Sequence, residues 1–267
     1  MFELTDDSEN GSSPLSESKQ VSPTQEKYDG LPVVEVQDTA EDWITILQTM
    51  YKSLFFDSSK IYDPDLEISL MGPMRMAKKY QMDKIHKRLA SLVESQWPKN
   101  LSEWDQYQTT ISQHPELSLE PAAAISLASE HNIKRVLPIA FYLLSMADAN
   151  QEYESKPADK PSVTPSRARW NLLSRNDYRK LIVGKERIAL EVKRIRDTPF
   201  SCSHNGRSYD PVPYQNCIVT FRPGNPSAEH RFDVLKFLTP LGDGNCSNPI
   251  RTLNRKEFWK KLPEFFA

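Results

Sequence analysis

The residues best suited to chemistry lie in the last quarter of the chain. Cys202, His204, Cys217 and Cys246, with His230 between them, are soft ligands, and zinc takes four such groups in a tetrahedron. Zinc fingers bring their ligands as close pairs such as Cys-x-x-Cys, and Cys202-Ser203-His204 is a weak substitute for one. The plainer reading is preferred: three isolated thiols serving as small buried apolar groups, with no metal and no cofactor. Nucleophilic catalysis needs a base beside the nucleophile. The chain has no Gly-x-Ser-x-Gly turn, and none of its five histidines has motif company. His86 falls on the polar side of a helix, where solvation is expected; His114 and His131 fall near helix ends, where capping is expected. Gly242-Asp243-Gly244-Asn245 signals a turn, and no dinucleotide fingerprint follows it. No catalytic residue is assigned, and the chain is read as not an enzyme.

Residues 167–196 hold ten bases against three acids. Such a stripe could meet phosphates. It could equally be the solvated face of an amphipathic helix, or dock on an acidic segment. Aromatic residues are not interleaved as base stacking requires, so the solvated face is preferred and nucleic acid is not the expected partner. A nucleic-acid-associated transcriptional regulator, using this helix and a Cys/His metal site, stands as the alternative function.

Composition narrows the classes further. Lys and Arg total 34 against 36 Asp and Glu, a formal charge of −2 over 267 residues, which excludes a globally basic nucleic-acid coat and a polyacidic tail protein. With 38% hydrophobic residues and a mean hydropathy of −0.60, the apolar residues must concentrate in some segments and leave others loose. Twenty prolines against eight glycines argue against glycine-dependent phosphate loops. Three cysteines and an acidic beginning, Met1-Phe2-Glu3-Leu4-Thr5-Asp6-Asp7, fit a reducing interior, so an intracellular place in cytoplasm or nucleus is expected. The longest apolar stretch, 136–147, is interrupted by Pro138 and Ser145 and is shorter than the roughly 20 residues of a membrane span.

The elements that must position these residues are mostly helices. Residues 1–28 are acidic and lack an apolar period, so a flexible tail or loop is expected. Alternation of Val34 and Val36 with Glu35 and Gln37 predicts a strand over 31–38. Thr39-Ala40-Glu41-Asp42 opens a helix whose Trp43, Ile44, Leu47, Met50, Tyr51 and Leu54 are expected to be buried, with a break at Asp57-Ser58-Ser59. Two more helices follow over 66–79, with Leu66, Leu70, Met74 and Ala77 inward, and over 82–97, with Ile85, Leu89 and Leu92 inward. Ser102-Glu103-Trp104-Asp105 predicts a cap for a short helix toward Ile111. Pro121 suits the first turn of a helix stopped at Asn132, and another covers 134–146. Residues 148–173 read as a linker. Ser174 to Asp177 then cap a long helix with Tyr178, Leu181, Ile182, Ile188, Val192 and Ile195 inward. Residues 197–250 read as irregular with short strands such as 217–221, and a last helix over 254–266 is expected to be interrupted at Pro263. Tyr80, Trp97 and Trp104 are expected in the core.

Three pieces, in order, carry a family resemblance. Asp29-Gly30-Leu31-Pro32-Val33-Val34-Glu35-Val36-Gln37-Asp38 resembles the D-G-x-P-V-V-x-L-x-D strand of fungal BTB/POZ domains, and the following helix ends Leu47-Gln48-Thr49-Met50-Tyr51 where that family has a Leu-Tyr pair. Met76-Ala77-Lys78-Lys79-Tyr80-Gln81-Met82-Asp83-Lys84-Ile85 is similar to the family's A-x-K-Y-x-M-x-x-L helix pair. The stretches 120–128 and 136–144 resemble the helical extension of basidiomycete members. The resemblance implies an α+β, mostly α-helical protein. It has a partial BTB/POZ-like domain over 29–98, a helical extension over 99–147, a linker over 148–173, and a C-terminal long helix and irregular region over 174–267. It implies a non-catalytic protein–protein interaction module, an adaptor or scaffold whose partners include a cullin-type ubiquitin ligase scaffold or a transcriptional co-regulator. The family's opening strand–strand–helix unit, with its D-x-x-F-x-V-H segment, has no counterpart before residue 29. The expectation is a chain that begins inside the domain. It would not dimerise by the family's route and would expose apolar surface until a partner covers it.

Overall fold

A computed structural model describes residues 27–33, 35–51, 62–151, 153, 168–197, 203–204, 207–208, 233–238 and 249–267. The chain divides into two compact units, 1–38 and 39–267.

In the first unit, β1 (Lys27–Tyr28) pairs antiparallel with β2 (Leu31–Pro32) across Asp29-Gly30. Both turn residues have positive φ, 51° and 77°, as a two-residue hairpin turn of the primed type requires, and Asp-Gly is its preferred sequence. The strand predicted over 31–38 is therefore only two residues long, and its partner lies upstream of it. The acidic segment up to residue 26 lies outside the described residues.

The second unit is helical. Its elements are α1 (Ala40–Tyr51), α2 (Leu66–Lys79), α3 (Asp83–Gln96), α4 (Leu101–Gln113), α5 (Pro121–His131), α6 (Leu137–Ser145), α7 (Arg175–Asp197), α8 (Val234–Phe237) and α9 (Pro249–Phe265). Short 3-10 turns lie at Pro115–Leu117 and Trp170–Leu172. A second small hairpin joins β3 (Ser203–His204) to β4 (Arg207–Ser208). Helices α5 and α6 pack together at the centre. On one side α2 lies against α5 and carries α1 and α3; on the other, α7 and α9 pack on α6. One apolar cluster runs from Leu66 to Phe266 through these helices other than α1.

Helix α5 explains this arrangement. Ala122, Ala123, Ala124, Ile125, Leu127 and Ala128 are all fully buried, and only Ser129 and Glu130 near its end are exposed. Its alanines let neighbours approach closely. Glu120 caps its start and Asn132, left-handed at φ 59°, ends it as the sequence predicts. The cap of α4 is Asn100, two residues before the predicted one: its Oδ1 accepts the Glu103 N–H at 3.0 Å, while Glu103 accepts the Lys99 N–H at 2.8 Å. At α7 the predicted box is present, with Ser174 N–H to Asp177 Oδ2 at 2.9 Å and Asp177 N–H to Ser174 Oγ at 3.2 Å.

Helix α1 is rotated relative to expectation, and α7, inward through Leu181, Ile188, Val192 and Ile195 as predicted, departs from it at Tyr178 and Ile182. Helix α1 packs through Ile46 and Thr49, leaving Ile44, Leu47, Met50 and Tyr51 exposed. The cause is a close approach: a Cβ on Gly72 of α2 would collide with the Asp42 carboxylate, so the edge carrying Asp42, Ile46 and Thr49 is the one pressed inward. Burial of Thr49 is tolerated because its hydroxyl donates to the Thr45 carbonyl at 2.8 Å. Helix α7 buries Leu181 and Ile195 but exposes Ile182, since its inner edge runs through Gly184, over which the Phe266 ring sits.

Further corrections concern the second half of the chain. Within 148–173, Ala168, Trp170 and Leu173 are buried in the core, and the Tyr153 N–H donates to the Ala168 carbonyl at 3.2 Å. Helix α9 begins at Pro249 and continues past Pro263 to Phe265. The predicted break at Asp57-Ser58-Ser59 and the strand over 217–221 fall outside the described residues.

A glycine inside a helix costs about 1 kcal/mol against alanine, so Gly184 needs a reason, and the ring of Phe266, stacked on Phe141 at 5.2 Å, supplies it. Gly184→Ala is expected to lower stability by roughly 1–3 kcal/mol in urea unfolding. In a Phe266→Ala background the same change should stabilise, and an unchanged sign would remove the collision as the cause.

Candidate functional site

Of the predicted zinc set, Cys202, Cys217 and Cys246 lie outside the described residues, as does His230; His204 is in β3. Among the described residues, no group of three or more His, Cys, Asp or Glu side chains is placed to hold a metal. Among them too, no helix is long and apolar enough to cross a membrane.

Two histidines have a different environment from the one the sequence predicts. His86 of α3 and His131 of α5 form a pair, Nε2 to Nδ1 at 3.0 Å. Neither is a solvated or capping residue: the His131 side chain is fully buried and His86 is half-buried. One imidazole must donate and the other accept, so the pair requires at least one neutral ring. Burial depresses both pKa values. Lys78 adds to the depression at His86 against Asp83, and His86, Lys78 and Arg75 add to it at His131 against Glu130. Both His131, the last residue of α5, and His114, which follows α4, sit at helix ends as expected, and His114 Nδ1 lies 3.2 Å from Glu116.

A second polar node was not legible in the sequence. Glu120 is 1% exposed, and its carboxylate accepts three backbone N–H groups: Ala122 at 3.1 Å, Ala123 at 2.7 Å and Arg169 at 2.9 Å. Glutamate is an uncommon cap, and its extra methylene is what lets it reach both the helix and the strand-like segment at 168–169. The Arg169 guanidinium lies 3.7 Å from Glu120, bonds Asp65 and stacks 4.0 Å over the Tyr153 ring. Arg169, one of the ten bases in 167–196, therefore serves an internal contact. Beside it, Glu67 of α2 is 0% exposed. Trp97 Nε1–H donates to its Oε1 at 2.8 Å, and Oε2 has no hydrogen-bond partner among the described residues. Burial pushes the Glu67 carboxyl up to about 8, helped by the charge of Glu120. Burial also raises Glu120, against its N–H donors and Arg169. With both carboxyls buried, no substrate can meet them unless the helices part. The chemistry open to this node is proton binding coupled to folding.

Among the described residues, two helices present apolar outer faces. The outer side of α1 presents Ile44, Leu47, Met50 and Tyr51, and that of α7 presents Ile182, Val183 and Leu190. Several bases of α7 are engaged internally. Arg187 donates to the carbonyls of Glu264 and Phe265 at 2.6 and 3.1 Å, closing the end of α9. Arg194 bonds Glu191, and with Lys261 it holds the Glu191 carboxyl below its usual range. Trp97 and Trp104 are buried as expected, whereas Tyr51 is 81% exposed. Comparison of the chain with protein-family models, curated proteins and solved structures finds no match.

The two titrating sites act in opposite directions on stability. An unfolded Glu67 ionises above about 4.5 while the folded one keeps its proton to about 8, so unfolding releases a proton and stability falls as pH rises across that window. Glu67→Gln should remove a slope of up to about one proton from the pH dependence of the urea midpoint between pH 5 and 8. For His86 and His131 the folded pKa values are depressed, so the unfolded chain takes up protons first as pH falls through about 6.5. Stability is lost on that side, and His131→Leu should reduce the loss measured between pH 7 and 5; an identical profile would separate the pair from acid sensitivity.

Proposed function

We propose that the chain is a non-catalytic protein–protein interaction module of the BTB/POZ type, an intracellular adaptor or scaffold. The observation that carries the reading is the outer face of α1. Leu47 is 44%, Met50 52% and Tyr51 81% exposed, and Ile44 joins them within three turns of one helix. Clustered aliphatic and aromatic side chains are the anchors that interfaces use, and an amphipathic helix laid against a partner is a recurring recognition mode. The α1 face lies inside the segment whose residues, Asp29 to Asp38 and Leu47 to Tyr51, resemble the BTB/POZ pattern, and that resemblance also implies an exposed apolar surface. The partner classes it implies are a cullin-type ligase scaffold and a transcriptional co-regulator. The nucleic-acid reading is weaker. It drew on the whole basic segment, and Arg169, Arg187 and Arg194 are engaged within the fold.

The test uses full-length chain carrying Leu47→Asp with Tyr51→Asp, against Lys134→Asp as an exposed control. Circular dichroism and thermal midpoint should be unchanged within a few degrees. Affinity for a partner identified by cross-linking at position 51 should fall at least about tenfold in the double variant only. Equal affinity in all three proteins, or turnover of a substrate by the purified chain, would overturn the reading.

A further inference from the structure

We infer that the outer face of α7 is a docking site for a partner segment that is acidic at both ends and aliphatic at its centre. This face is separate from that of α1, and either can fail without the other.

The inner edge of α7 is fixed by Leu181, Gly184 and Ile195, which pack into the core. Directly opposite, steps of three and four residues join Arg175, Arg179, Ile182 with Val183, Glu186, Leu190 and Lys193 into one stripe. All of these are exposed, Ile182 at 59% and Leu190 at 67%. From 175 to 193 the stripe is about 27 Å long at 1.5 Å per residue. Its composition is ordered: two arginines at one end, a lysine at the other, and three aliphatic side chains between them with a single acid, Glu186.

Charge complementarity selects the occupant. The basic ends call for carboxylates about 27 Å apart, which a helix of some 18 residues supplies, and the aliphatic centre calls for Leu-, Ile- or Phe-like side chains. A phosphate backbone would meet the bases at the ends but leave the three aliphatic side chains against a polar strand. An anionic membrane would attract the bases, but a helix that binds membranes turns its main apolar face to the lipid, and the main apolar face of α7 is buried in the core. A second copy of α7 would set like charges against each other if laid parallel or antiparallel, because both ends are basic.

A displayed library of random 20-residue peptides is selected on the full-length chain and, in parallel, on the chain carrying Arg179→Glu with Lys193→Glu. The expected result is a family of peptides recovered only on the unaltered chain, acidic near both ends and aliphatic between. A synthetic member followed by fluorescence anisotropy should bind at least tenfold more weakly to the charge-reversed chain and to Ile182→Ser with Leu190→Ser. Leu47→Asp with Tyr51→Asp should leave its binding unchanged. A version of the peptide with its acids replaced by lysine should regain binding to the charge-reversed chain. Circular dichroism and thermal midpoint of each variant confirm that the fold is intact. Recovery of the same peptides on both chains would overturn the inference, as would binding insensitive to Ile182 and Leu190. So would equal Arg179- and Lys193-dependent binding to a 20-base-pair duplex, or to vesicles of phosphatidylcholine and phosphatidylserine.

Discussion

A helix buried around most of its circumference must be covered from several directions at once, and the fold follows from that constraint at α5. Its alanines give neighbours little to hold but allow them close, so α2, α6 and the 3-10 turn at Trp170–Leu172 can all lie against it. Other helices pack mainly on these neighbours, α1 and α3 on α2 and α7 and α9 on α6, while the His86–His131 pair also ties α3 to α5. Removing the side chains of α5 from water is thus shared by segments from both halves of the chain.

Burial on this scale has a cost at the helix start, where backbone N–H groups lose water and need other acceptors. Glu120 meets it with a carboxylate rather than the usual short hydroxyl or Asp side chain, and thereby brings a charge inside. Arg169, Asp65 and Tyr153 then surround that charge, and Glu67, placed close by without a cation of its own, remains protonated at neutral pH. Elsewhere the same rule recurs. The Tyr142 hydroxyl, buried among rings, donates to Asp233 at 2.8 Å and accepts the Leu235 N–H at 3.0 Å, so one phenol satisfies two groups at the start of the short α8.

Much of the helical frame was legible from spacing alone. The bounds of α2 match residue for residue, because Leu66, Leu70, Met74 and Ala77 repeat at helical intervals and nothing competes with them. The stop at Asn132 and the box at Ser174 and Asp177 are local signals and were equally readable. Rotation of α1, with the exposure of Ile182 on α7, was not. It depends on two glycines, Gly72 and Gly184, whose partners lie far away in sequence, so periodicity predicts an apolar face but not which edge a neighbour will press. The Glu67–Glu120–Arg169 node was hidden for the same reason: its members are ordinary surface residue types until three distant segments meet. The His86–His131 pair, 45 positions apart, carries no local motif at all.

The contacts that close the core are unusually remote along the chain. Arg255 bonds Asp105 and donates to the Leu235 carbonyl at 2.9 Å, across separations of 150 and 20 residues, while Phe266 stacks on Phe141. A fold completed by such pairs gains little until its last helix is available, since loop closure must be met before those contacts contribute. During synthesis, therefore, α5 and α6 emerge from the ribosome well before the aromatic residues of α9 that shield them, and the nascent chain presents its greasiest surface at the stage when chaperone contact matters most.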